Sequence, residues 1–239
     1  MKFRIATLAA LLSATFFVFG AQAVVLTSVD QLDLANVVKA YNFTNGADGT
    51  LAIGGVTFTT HNWANQLAFD GLTVTDPQGM SGAPLGAPAI TSGGTPADQA
   101  NLSSLLNSTN FSGGSSPGAA MTLSIAIPDG NYLVQYLAGT SANRSNEFFN
   151  VGPPAESLGT FNGSGNFLLT GLVTATGGTG LTLSVDHFAG SDGRPIISGL
   201  IVNEIFAPVP EPSSVLLLGL GALGLACRTR RRGREQAGR

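Results

Sequence analysis

Two histidines, His61 and His187, are all the imidazole the chain has, and they stand 126 positions apart. Asp186 precedes His187 and Asp192 follows five residues later, so a carboxylate is at hand to orient that ring. Acid–base chemistry of this kind needs a nucleophile or a metal beside it. There is no Gly-x-Ser-x-Gly elbow and no His-x-Glu-x-x-His spacing, and the one cysteine, Cys227, lies in the C-terminal tail. Paired-carboxylate hydrolysis would have to draw on Glu147, Glu156, Glu204 and the aspartates. No catalytic residue is assigned, and the chain is expected not to be an enzyme. Asn45, Asp48, Asp129, Asp186 and Asp192 sit in turn-like contexts whose oxygens suit a hard cation. Asp and Asn also favour turns for their own sake, so calcium, with Asp186 and Asp192 as its leading ligands, is the one cofactor considered. Trp63, beside His61 and Asn62, is either a stacking platform for a glycan or a packing residue.

The elements that must position these groups belong to one body. Between Val24 and Pro208 lie 185 residues, enough for one good-sized core. They hold nine Asp and three Glu against Lys39, Arg144 and Arg194, a net charge near −9 that the basic ends mask in the whole-chain value of −3. No patch there could neutralise a phosphate backbone, which excludes nucleic acid as a partner. The body has no cysteine, so no disulfide staples it and burial alone must hold it. Arg144 is expected to pair with a carboxylate or to lie on a loop rim. The Asn-x-Ser/Thr triplets at Asn42, Asn101, Asn107, Asn110, Asn143 and Asn162 are chance occurrences in an Asn- and Thr-rich chain.

The body reads as β almost throughout. Val37–Phe43 alternates, Leu51–Ile53 and Val56–Thr59 flank Gly54-Gly55 as a two-residue hairpin, and Met121–Ile127 puts Leu123, Ile125 and Ile127 on one face. Pro128-Asp129-Gly130-Asn131 is a turn, with Tyr132–Leu137 expected as the partner strand of Met121–Ile127. Phe148–Val151, Gly165–Val173, Leu181–Val185 and Ile196–Ile205 supply further strands. Pro96–Leu106 is the one predicted helix, capped by Thr95. The Gly-, Pro-, Ser- and Thr-rich span Asp76–Ser116 is read otherwise as long surface loops. Short strands with regular turn signals predict an all-β, antiparallel, jelly-roll-like sandwich over residues 24–207.

The ends carry addresses. Lys2 and Arg4, an apolar run from Ile5 to Phe19, and Gly20-Ala21-Gln22-Ala23 form a secretory signal peptide over residues 1–23. Signal peptidase, reading Ala21 and Ala23, is expected to leave Val24 as the first residue. At the other end, Val209, Pro210, Glu211 and Pro212 precede 13 residues, Val215–Cys227, that are too short for the ~20 of a comfortable membrane span. Arg228, Arg230, Arg231, Arg232 and Arg234 follow as a cytoplasmic stop. Cys227 is read as a small apolar residue of that short transmembrane helix.

The stretch VPEPSSVLLLGLGALGLACRTRRRGR, within residues 208–239, resembles a PEP-CTERM sorting signal. The resemblance implies an exported protein of an exopolysaccharide-producing bacterium, held briefly in the inner membrane while exosortase cleaves at or near the motif. It then goes to the cell surface or extracellular matrix. More loosely, IPDGNYLVQYLAGTSANRSNEFFNV followed by PIISGLIVNEI is similar to the malectin-like or galactose-binding-like jelly roll. That likeness implies carbohydrate binding as the alternative to a non-enzymatic, exopolysaccharide-associated role, with a secreted hydrolase a third reading.

Overall fold

The computed structural model describes residues 23–44, 46–62, 68–75, 80–82, 84–108, 110–112, 121–152, 156–187 and 194–206. The chain divides after Glu204, and every element among the described residues belongs to the unit before that point. In chain order these elements are β1 (Val24–Val25), a 3-10 turn (Val29–Gln31), β2 (Val37–Thr44), β3 (Gly49–Ile53), β4 (Val56–Asn62), β5 (Ala68–Phe69), β6 (Leu72–Thr75) and β7 (Met80–Gly82). Then come α1 (Pro96–Asn107), β8 (Asn110–Ser112), β9 (Met121–Ile125), β10 (Gly130–Asn150), β11 (Glu156–Ala175), β12 (Leu181–His187), β13 (Ile196–Ile197) and β14 (Gly199–Glu204).

The organiser is the hairpin of β10 and β11, strands of 21 and 20 residues. The first half of β10 pairs with β14 and its second half with β12, while β11 runs alongside both halves. A register shift between Thr140 and Arg144 marks the bend, where Arg144 meets Gly163 and Thr140 meets Gly165. Bulges of this kind re-aim a strand at a corner. One sheet thus runs β3-β4-β2-β14-β10 and the other β10-β12-β9-β6-β5, joined through the bent hairpin. Their inner faces share one cluster that includes Tyr41, Phe43, Leu123, Val134, Tyr136, Phe148, Leu183 and Val202. A second cluster lies beneath α1, where Leu102, Leu105 and Leu106 meet Phe58, Leu137, Leu168 and Ile201. Among the described residues the domain is therefore mainly β with one α-helix, as expected, but it has a third layer.

Local predictions hold where the chain is paired with its own neighbours. Gly54 and Gly55 take φ of 55° and 82°, and Ile53 faces Val56 across them. Such left-handed pairs are what a tight hairpin requires. Leu123, Ile125 and Ile127 are buried on one face. Thr95 caps α1 in a reciprocal box with Asp98, whose carboxylate accepts from the Thr95 N–H at 2.9 Å and from the Gly54 N–H at 2.7 Å. The Thr95 hydroxyl first, then these two N–H groups, hold the Asp98 carboxyl below its ordinary value. Thr95→Ala is expected to lower stability by about 1 kcal/mol, the usual worth of such a cap, read as a shift in the urea midpoint at unchanged slope.

Five expectations need correction. Tyr132–Leu137 does not pair with Met121–Ile125: β9 pairs with β6 and β12, whereas this part of β10 pairs with β11 and β14. The turn at Pro128–Asn131 passes the chain between sheets, and Asp129 fixes it by accepting from the N–H groups of Gly177 and Gly178. Arg144 is on no loop rim; it is buried at the bend, within β10. The sandwich is not wholly antiparallel, because β2 and β4 run parallel. Finally, outside the predicted helix α1, the span read as loops between residues 76 and 116 holds β7 and β8, and buries Ile90. β7, β8 and β13 form a small separate sheet, so Ile196–Ile205 is broken at Ser198 into two strands.

Candidate binding cleft

β2 and β4 pair only from Tyr41–Thr59 to Thr44–Asn62. Upstream they part, and a cleft of about 460 Å³ opens between them. Asn36, Lys39, Thr57, Thr59 and Asp70 supply its polar lining, Val37, Val38 and Val56 its apolar lining. Each is placed by a local feature. Asn36 has a φ of 51°, at the entry to β2. Asp70 and Gly71, with φ of 43° and 76°, make the tight turn between β5 and β6 that brings Asp70 over from the other sheet.

Lys39 Nζ donates at 2.9 Å both to the Asp70 carboxylate and to the Asp70 carbonyl. The Tyr41 hydroxyl donates to the same carbonyl at 3.1 Å. Burial, and secondarily the Asp70 carboxylate, push the Tyr41 phenol well above its ordinary 10.0. Behind the cleft the Phe69 ring meets Tyr41 edge-on at 5.5 Å and stacks on His61 at 3.9 Å. His61 is buried, with Nδ1 at 3.1 Å from the Asp48 carboxylate. The same Asp48 oxygen accepts from the Asn62 N–H at 2.8 Å. His61 is thus a packing residue whose partner holds the β3–β4 end together.

Chemically, the cleft presents an ammonium, a carboxylate, an amide and two hydroxyls beside valine side chains. That set suits a neutral polyhydroxy ligand, whose hydroxyls both donate and accept while its C–H faces lie on apolar surface. Sequence reasoning did not find the cleft. Its one signal was the Asp-Gly dipeptide at 70–71, a strong hairpin mark, opposite one of only three basic residues in the body.

The residues singled out from the sequence lie elsewhere. Asp186 stands on β12 opposite Glu147, and Asn146 opposite His187. Glu156 is opposite Asn150, and Glu204 opposite Tyr132. His61 belongs to the sheet of β2, β4 and β14, and β12 to the other. Among the described residues there is no group of three or more His, Cys, Asp and Glu placed to hold a metal. Asn45, Trp63, Asp192, the Ala21 signal position, Val209–Pro212, Cys227 and Arg228–Arg234 lie outside the described residues.

Residues 208–232 match the PEP-CTERM protein-sorting motif, which implies an exported protein processed by exosortase and transiently held at the membrane. No curated protein matches the chain. Among solved structures it is similar to the extracellular domain of ANXUR1 from Arabidopsis thaliana, with a TM-score of 0.51 at 12% identity over 79% of this chain and 54% of that one. The ANX2 ectodomain from the same plant gives 0.49 at 13% identity, over 72% and 50%. A Bacteroides uniformis beta-glucuronidase gives 0.44 at 12% over 74% of this chain and 19% of that one. This chain spans about half of each ectodomain. The malectin-like likeness read from the sequence is thus met at the level of fold.

Proposed function

We propose, for a chain whose last residues carry a PEP-CTERM sorting motif, a non-enzymatic protein of the bacterial cell surface or extracellular matrix that associates with exopolysaccharide. Its signal peptide ends at Ala23, residues 24–207 are the working body, and exosortase removes the tail at or near Val209–Pro212. The observation that carries the polysaccharide reading is the cleft between β2 and β4, with Lys39, Asp70, Asn36, Thr57 and Thr59 around its mouth. A cleft open at its rim receives a segment of a long chain as readily as a free sugar. A dedicated carbohydrate-binding module is the second reading, favoured by the same polar set. The two differ in strength: a module holds purified glycan in solution, whereas matrix association needs many copies and many chains.

The intact mass of the mature protein from its native host tests the sorting half. A chain running from Val24 to an end between Pro210 and Pro212 is expected. Retention of Arg228–Arg239 would make the tail a permanent anchor and end the sorting reading. Co-sedimentation of that protein with host exopolysaccharide tests the other half. Lys39→Met with Thr57→Val is expected to weaken retention severalfold while leaving the fold intact, since an exposed ion pair is worth only ~0–1 kcal/mol. Equal retention of wild type and variant would remove the cleft from the reading.

A further inference from the structure

We infer that the outer edge of β11, from Leu169 to Ala175, is a homodimer interface that pairs antiparallel with the same edge of a second copy. The inference rests on the proposed cleavage after Ala23. β10 takes one side of β11 along its whole length. On the other side β1 covers only Phe167 and Leu168, through Val25 and Val24, and the Leu26 N–H donates to the Asn166 carbonyl. β1 runs antiparallel, and its first residue, Val24, stands opposite Leu168. A mature chain that begins at Val24 leaves that edge open, and no other strand among the described residues pairs with it.

The open edge lacks the usual protections. Leu169-Thr170-Gly171-Leu172-Val173-Thr174-Ala175 contains no charge and no proline, the devices with which exposed edges normally discourage pairing. Leu172 is 62% exposed, Thr174 is exposed and Thr170 half-buried, whereas Leu169, Val173 and Ala175 point into the core. The outward series is therefore Thr–Leu–Thr, symmetric about Leu172. A two-fold axis at Leu172 sets Leu172 against its own copy, and Thr170 of one copy against Thr174 of the other. Apolar and threonine pairs of this kind are favourable cross-strand neighbours, and a surface complementary to itself is what an isologous dimer needs. A charged or proline-bearing partner strand would not be selected by so neutral an edge. Seven residues make a small contact, so the dimer is weak and concentration-dependent, suited to a crowded matrix. The acidic bodies repel one another, and added salt strengthens the association.

Sedimentation velocity of the mature protein over a range of concentrations, with its mass taken from the same sample, is the test. A reversible monomer–dimer equilibrium is expected, weakened about tenfold or more by Leu172→Lys. That side chain is exposed, so the circular dichroism spectrum should not change. The mature body has no cysteine, so Leu172→Cys is expected to cross-link under mild oxidation, while Val151→Cys, at another exposed position, should not. A monomer at every concentration overturns the interface, as does a dimer indifferent to Leu172→Lys or equal cross-linking at both cysteines. A mature chain that begins upstream of Val24 overturns the premise instead, and the mass tells that case apart.

Discussion

Between about pH 10 and pH 11 the protein is expected to lose about 2 kcal/mol of stability, and roughly 3 kcal/mol per pH unit beyond that, because two of its phenols cannot ionise in place. Tyr136 is fully buried, and burial drives its phenol well above the ordinary 10.0. Tyr41 is buried as well, and burial followed by the nearby Asp70 carboxylate drives it in the same direction. Both stay protonated in the fold while the unfolded chain releases their protons above about pH 10. The native state then binds more protons than the unfolded one, so stability falls as pH rises, by about 1.4 kcal/mol per pH unit for each group. Below the unfolded value the contribution is fully present. Urea midpoints at stepped pH, with tyrosinate absorbance followed in parallel, give the slope. Tyr136→Phe provides the control. Its hydroxyl is buried with no hydrogen-bond partner among the described residues, so removing it should cost under about 1 kcal/mol at neutral pH. The same change should cut the alkaline slope by roughly a third to a half, because burial, and then Glu204 and Asp129, raise the Tyr132 phenol as well. A Tyr136→Phe variant with the wild-type slope would show that the phenol reaches water in the native state.

The second large effect is expected at Gly139, where β10 passes beneath the end of α1. The Gly139 N–H donates to Ser198 Oγ at 3.0 Å, and that hydroxyl donates to the Leu106 carbonyl at 3.3 Å. A methyl group on Gly139 would overlap the Leu106 carbonyl oxygen and come within 2.8 Å of Ala87 Cβ. The obstacle is backbone, which no rotamer change can move aside. Gly139→Ala should therefore lift α1 from the sheet and cost about 3 kcal/mol, the upper part of the range for overpacking. Gly49→Ala is the comparison, since nothing lies within 4 Å of the added methyl; a change within about 0.5 kcal/mol is expected there. Equal midpoints for the two variants would mean that α1 is not seated on Gly139. Loss of the helix signal in Gly139→Ala, with sheet signal retained, would place the damage in the outer layer alone.

What the chain declares locally, it declares well. The Gly54-Gly55 hairpin, the Thr95 cap, the alternation of Met121–Ile127 and the succession of proline, apolar and arginine segments at the C-terminus are each set by neighbours in sequence. Alternation tells which residues face a core, but not which strand lies alongside. A turn joins Tyr132–Leu137 to the strand before it, which makes that strand the expected partner. Its true partners are β11, which folds back from some forty residues on, and β14, which lies further still. The small polar run Ala138–Asn146 has no strand signature, yet it is the middle of the longest strand, because Gly163 and Gly165 opposite it permit the bend.

Tertiary structure alone decided the site. Lys39 and Asp70 are 31 positions apart, and nothing in their surroundings in sequence pairs them. The cleft exists because two parallel strands separate, which depends on β14 holding one of them and β3 the other. The C-terminal sorting motif is written in residue order. The candidate cleft comes from contacts between distant segments, which no order of residues spells out.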